Sequence, residues 1–305
     1  MRSTVLALAF LVTWSSGFVG ADLAAGVSSV SAMLAWRYLV TAGLLLLALF
    51  PLRPRLTARE IRQQTVLGLL AHVCFLGGVF GAAAAGVDAS TTALVCALQP
   101  ALVATFGCLC WGDRGGPALV LGLVIGVLAV ALTVGTGIEG GIALVLPVIS
   151  LLGLSGAALL ERRWQPTTGL VISLTAQVIV AAGAFSVWAM LTGSMQARVT
   201  PAFVGAIVWL VLLSGLGVYA TFLACLRRIG ATGTSALLYL TPAVTALWTW
   251  AMFGDGLSGR QVAGLALGAA AVLLVVRVRP LDTAPLGGAV PSGGQVSRRT
   301  PRAAR

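Results

Sequence analysis

Ten apolar runs, each about twenty residues long, follow one another along the chain near residues 3–22, 30–50, 66–85, 90–111, 117–135, 142–160, 169–192, 203–224, 231–253 and 259–277. A helix rises about 1.5 Å per residue, so each run is long enough to cross a hydrocarbon layer ~30 Å thick. Lipid offers the backbone no hydrogen bonds, and a continuous apolar run meets that condition as a helix that pairs its own peptide groups. The expected fold is therefore all-α and integral to the membrane, with ten transmembrane helices and no stretch left for a soluble domain. Composition agrees: 59% of the 305 residues are hydrophobic and 9% charged, with a mean hydropathy of +1.03, against about 25% charged in soluble domains.

The net charge of +11 is a matter of topology rather than of a nucleic-acid partner. All 19 basic residues are arginines, and sixteen fall on one side if the N-terminus is inside: Arg2, the group Arg53, Arg55, Arg59 and Arg62, then Arg114, Arg162, Arg163, Arg227, Arg228, and six from Arg277 to Arg305. Arg198 and Arg260 lie outside, and Arg37 lies within a span. Cytoplasmic loops carry the arginine excess, so both termini are expected in the cytoplasm of a cell with the protein in its inner (plasma) membrane. The first run also has the shape of a signal peptide, but its removal would leave nine helices and spoil the repeat described next. Residues 280–305, rich in Pro, Gly, Ser and Arg, read as a disordered basic cytoplasmic tail. Cys74, Cys96, Cys108, Cys110 and Cys225 lack metal-ligand spacing and read as reduced packing residues.

Pro100–Val134 and Pro242–Val276 match at a constant offset of 142, with 13 of 35 positions identical, among them the prolines, Gly112-Asp113 with Gly254-Asp255, and Gly122-x-x-x-Gly126 with Gly264-x-x-x-Gly268. The chain thus divides into two five-helix repeats, 1–138 and 139–279. Five is odd, so the second repeat enters the membrane from the opposite face. Charge agrees, because the loop after the second run is basic (PLRPRLTAREIRQQ) and the loop after the seventh nearly neutral (TGSMQARVTP). Inverted repeats of this type build alternating-access transporters whose substrate site lies between the halves. A weaker match at an offset of 140 pairs Val40, Ala42 and Gly43 with Val180, Ala182 and Gly183, and sets Arg37 opposite Gln177.

Trp14-Ser-Ser-Gly-Phe18, Ala35-Trp-Arg-Tyr38, and an apolar helix with Pro, a further apolar stretch, an acidic Gly-Asp and a glycine-bearing last helix resemble the EamA-like branch of the drug/metabolite transporters over about residues 5–278. Asp113 and Asp255 stand where Gly-Glu is commoner. The resemblance implies a secondary transporter of a small organic metabolite, with export of an amino acid or related amphipathic compound favoured. The small multidrug exporters of that superfamily carry a first-helix glutamate that this chain lacks, which disfavours antiport of cationic drugs.

With one histidine and no P-loop or Gly-x-Ser-x-Gly sequence, the residues supply no enzyme constellation, metal cluster or cofactor site. The expected partners are a small-molecule substrate and the lipid bilayer, and a scaffold or membrane enzyme is the rival reading. Arg37 lies about eight residues, roughly 12 Å, inside its span; it either snorkels toward Asp22 or faces the cavity and meets an anionic group. Thr241, Thr245, Trp248, Thr249 and Met252 share one face of the ninth helix, read as cavity lining, with the more apolar Gln99, Val103, Phe106, Gly107 and Cys110 as its counterpart. Trp14 and Ser15 on the first helix, His72 and Tyr219 on the third and eighth, Gln177 and Tyr239 complete the candidate substrate-binding set. The Gly-x-x-x-Gly pairs are read as close-packing surfaces, and Asp113 and Asp255 as helix-end residues.

Overall fold

The computed structural model describes residues 3–51, 55–111, 117–134, 141–238, 240–254 and 258–278. Among them the chain is helical, without strands. The helices are α1 Ser3–Ala25, α2 Val30–Leu49, α3 Ala58–Gly68, α4 Phe75–Ala84, α5 Ala89–Cys96, α6 Gln99–Trp111, α7 Pro117–Val134, α8 Val145–Trp164, α9 Leu170–Leu191, α10 Pro201–Val208, α11 Val218–Leu238, α12 Thr241–Phe253 and α13 Gly259–Val278. Seven helical stretches among the described residues are long and apolar enough to cross a membrane: α1, α2, Ala58–Ala84, Ala89–Cys110, α8, α9 and Pro201–Ile229. Asp113, Asp255, Arg114 and the tail from 279 lie outside the described residues.

Local chemistry starts and stops these helices. Ser29 caps α2 by accepting from the amide of Ala32 at 3.3 Å. Thr57 and Glu60 form a reciprocal capping box at α3. Thr200 caps α10, with Pro201 in the first turn, where its missing N–H costs nothing. Gly254 closes α12 at φ 74, a conformation that glycine adopts without a Cβ clash.

Two interruptions distinguish the structure from ten smooth rods. The expected fourth helix is broken at Ala97–Leu98, where Pro100 cannot donate to the carbonyl four residues back. A turn at Leu240 precedes Pro242 in the same way. The loop expected between the eighth and ninth runs is absent, because α11 continues through Arg227, Arg228 and Gly230 to Leu238, and no proline stops it sooner. Wide turns interrupt two further runs, at Leu69–Cys74 between α3 and α4 and at Trp209–Gly217 between α10 and α11. Such widened turns displace side chains from a regular helical stripe and are frequent at functional sites.

Small residues bring the helices together. A Cβ on Gly153 of α8 would stand 2.7 Å from the Cβ of Cys74 and 2.8 Å from the carbonyl oxygen of Leu70. Ser150 donates to the carbonyl of Phe75 at 2.9 Å, where the wide turn rejoins α4. On the other side of the molecule Gly20 of α1 packs on Leu210, and the Trp209 indole donates to the Ser16 carbonyl at 3.0 Å. α7 lies along α13 and α2 along α9. Of the expected Gly-x-x-x-Gly surfaces, Gly126 abuts Leu98, and Gly268 abuts Leu94 and Ala129. All five cysteines are free.

Polarity is distributed inside out. Ser15, Ser16, Arg37, Gln64 and Thr245 are buried, whereas Leu47, Leu109, Leu191 and Leu247 are exposed. That arrangement suits a lipid surround, where apolar packing outward is free and polar groups need protein partners. The main core, which includes Phe18, Met33, Tyr38, Phe80 and Phe185, gathers between α1, α2, α4, α9 and the Trp209–Gly217 turn.

Candidate functional site

A cavity of about 170 Å³ lies where α1, α2, α9 and the two wide turns converge. The turns supply Ala71 and His72 from one side and Ser214, Gly215 and Leu216 from the other. α1 contributes Trp14, Gly17 and Phe18, α2 contributes Arg37, Tyr38 and Thr41, and Tyr219 comes from the start of α11. Gly17 leaves room for Ser214: a Cβ would lie 3.1 Å from its hydroxyl, a tight contact. The rest of the wall is apolar, from Phe75, Leu76, Val79, Leu154, Leu174 and Val178. An apolar chamber with a few convergent polar groups is the usual form of a small-molecule site.

Arg37 is 6% exposed and faces this chamber. Its Nη2 donates to Ser214 Oγ at 3.3 Å, and its guanidinium carbon stands 5.5 Å from the Tyr38 ring centre and 5.9 Å from that of Phe80, within cation–π range. Nη1 is buried with no hydrogen-bond partner. The geometry describes the inward-facing one of the two orientations open from the sequence.

His72 sits in a directional chain. The Tyr38 hydroxyl lies 2.9 Å from Nδ1, Nε2 lies 3.3 Å from Gln177 Oε1, and Gln177 Nε2 donates to Gln64 Oε1 at 2.7 Å. An amide oxygen only accepts, so Nε2 carries the proton; when the Tyr38 hydroxyl donates to Nδ1 the ring is the neutral imidazole. Stacking of Tyr38 on Phe185, with ring centres 5.4 Å apart, fixes the phenol further. His72 thus holds Tyr38 in the cavity wall.

A second, smaller space of about 20 Å³ adjoins the first behind Trp14, Phe18 and Phe75. Phe18 and Phe75 meet edge to face at 6.5 Å. Gln99, Pro100, Leu238 and Thr241, from the two broken helices, close its far end.

The sequence profile of the EamA-like transporter family matches residues 1–135 and again residues 142–277. This chain belongs to that family. No curated protein matches it. A solved crystal structure aligns with this EamA-like chain at a TM-score of 0.61 and 16% identity, over 90% of this chain and 96% of its own, a likeness of fold.

Of the candidates named from the sequence of this EamA-like protein, Trp14, Arg37, His72 and Tyr219 line the main cavity. Gln177 stands behind His72 as its partner. Gln99 and Thr241 reach only the small space, and Ser15 is buried as a donor to the Thr241 carbonyl at 3.4 Å. Of the stripe expected to line a cavity on the ninth helix, Thr241 borders the small space, while Thr245 and Trp248 lie in helix contacts. Thr245 is fully buried and lines neither space, and Trp248 meets Trp209 edge to face at 5.2 Å. The reason is that α12 lies against α1 and α5, so its polar face is a helix contact. Tyr239 lies outside the described residues. Sequence reasoning passed over Tyr38, Thr41 and Ser214. Ser214 had a signal, since the 142-residue offset carried back from Pro242 sets it opposite His72.

The Thr245 hydroxyl has no hydrogen-bond partner. Thr245→Val, which keeps the shape and removes that hydroxyl, is therefore expected to leave transport intact and to hold or raise stability by up to ~1 kcal/mol. Thermal unfolding of the detergent-purified protein checks this, and a clear loss of both stability and transport would restore Thr245 as a working polar group.

Proposed function

We propose that this protein is a secondary transporter that moves a small organic metabolite, an amino acid or related amphipathic compound, through the Arg37–His72 cavity by alternating access, with export as the working direction. The carrying observation is a contact made twice. Arg37 of the second run hydrogen-bonds Ser214 of the eighth, and Gln177 of the seventh hydrogen-bonds His72 of the third, both at 3.3 Å. Arg37 corresponds to Gln177 at the offset of 140 and His72 to Ser214 at that of 142, so a pseudo-two-fold relation between the halves would exchange the two bonds. The pairing of helices follows the same operation: the third run packs on α8 as the eighth packs on α1, while α2 with α9 and α7 with α13 are self-paired. These are the relations expected of inverted repeats around a central site, and rocking one half against the other opens it to alternate faces.

The expected orientation, in the inner membrane with cytoplasmic termini, rests on the arginine distribution, and loop contacts agree with the grouping of loops by side. Thr168, before α9, donates to Glu60 at the start of α3 at 3.3 Å, joining two loops assigned to the cytoplasm by their arginines. Gln261 donates to Asp88 at 3.3 Å, joining two segments assigned to the outside. A cysteine placed at Thr57 in a cysteine-free background is expected to react with an impermeant thiol reagent only when the cytoplasmic face is exposed. Reaction in intact cells would reverse the orientation.

Purified protein in liposomes tests the function. Saturable movement of at least one metabolite from an amino-acid and organic-acid panel, absent from empty liposomes, is the expected result, and no flux above leak for any of them would remove the transporter reading.

A further inference from the structure

We infer that the cavity recognises its solute through a single carboxylate, held by Arg37, and provides no site for an ammonium group; the transported class is amphipathic monocarboxylate anions. This rests on the transport reading of the cavity and narrows its solute, from an amino acid or related amphipathic compound to the related acids that lack the amine. Among the described residues that line the chamber, Arg37 carries the permanent charge and there is neither Asp nor Glu. The guanidinium has five donors in a fixed fork. Nη2 has Ser214, and Nη1, buried, has nothing. An unmatched donor on a buried cation is costly, and a carboxylate oxygen is the acceptor whose geometry suits the fork.

The remaining groups fit the same ligand. Ser214 presents a hydroxyl beside the guanidinium, and the phenols of Tyr38 and Tyr219 border the same chamber. His72 is oriented by Tyr38 and Gln177, and the permanent cation of Arg37 disfavours a second charge on the ring. Away from Arg37 the wall is Phe18, Phe75, Leu76 and Val79, which suits an aryl or branched-alkyl tail. A cationic amine would meet no carboxylate in the lining itself, since Glu161 of α8, which acts electrostatically on Tyr219, stands outside it, and would enter against the field of Arg37; a dianion would leave its second carboxylate unpaired in an apolar wall. A zwitterionic amino acid offers the carboxylate but must strip an ammonium of water without a partner, so it ranks below the corresponding acid without the amine.

Four probes that share a phenyl group separate these cases: 3-phenylpropanoate, phenylalanine, phenethylamine and phenylsuccinate. Their binding to the purified full chain is read from thermal stabilisation, which rises with ligand concentration over Kd. 3-Phenylpropanoate is expected to bind about tenfold or more tightly than phenethylamine and phenylsuccinate, with phenylalanine between them. Arg37→Gln is expected to weaken the propanoate about tenfold without changing the amine, and Arg37→Lys to recover part of the loss. The wild-type ranking needs no variant, so the test stands even if Arg37→Gln is poorly folded. Equal binding of amine and acid, no binding of the acid at millimolar concentration, or an acid affinity in a folded Arg37→Gln within about twofold of wild type would overturn the inference. Flux in liposomes separates the two claims. Arg37-dependent acid binding without movement of any probe leaves the anion site standing and removes the transporter; movement of the amine in preference to the acid does the reverse.

Discussion

Ala71→Trp is expected to stop solute movement, by about a hundredfold or more, ~2.7 kcal/mol in barrier terms, while the protein remains in the membrane at near wild-type abundance. Ala71 stands in the wide turn between α3 and α4 and borders the cavity. An indole there projects into a chamber of about 170 Å³ and occupies the room that a metabolite needs. The cavity is empty space, so the added volume meets no packed neighbour and folding is spared. Initial rates in liposomes, normalised to protein incorporated, give the comparison. Full activity at normal abundance would place the solute path elsewhere, and loss of the protein would mean that the chamber closes tightly in the folded ensemble.

Gly153→Val should have the largest effect on the fold. The nearest atoms to a new Cβ are the Leu70 carbonyl oxygen and the Cys74 Cβ, backbone or near-backbone groups that cannot swing aside. Relief requires α8 to back away from the Leu69–Cys74 turn, and overpacking of this kind typically costs about 1–3 kcal/mol or more. Displacing that turn also moves His72 out of reach of Tyr38. Abundance and monodispersity after detergent extraction are expected to collapse, whereas Gly43→Ala, at an open site on α2 with nothing within 4 Å, should be neutral or slightly stabilising. Normal behaviour of Gly153→Val would show that the contact between α8 and the turn is looser than described.

The apolar runs made the helical membrane fold legible, because lipid imposes one solution on them whatever their detailed sequence. Pro100 and Pro242 also signalled the two helix breaks, although the runs that contain them were read as continuous. The wide turns left no mark that hydropathy detects: LLAHVC and WLVLLSGLG are ordinary apolar segments, and the extra residue per turn is settled by what packs around it. This is why Ser214 went unnoticed while His72, a rare residue in a span, stood out. Arg37 was found for the same reason, as a charge among apolar neighbours, but its direction was not readable, since a flexible side chain reaches either way from one backbone position. The α12 stripe was only partly readable, for a different cause. Periodicity groups Thr241, Thr245, Trp248 and Thr249 on one face, yet it does not reveal whether that face meets a cavity or a neighbouring helix, and α1 occupies the place.

The central claim is that one cavity opens in turn to both sides of the membrane. Ser214→Cys in a cysteine-free background puts a thiol in its wall, next to Arg37. An impermeant thiol reagent should label it in right-side-out vesicles and also in inside-out vesicles, with 3-phenylpropanoate protecting in both. Labelling from one face alone, unchanged by solute, would mean a fixed pocket and would contradict the account.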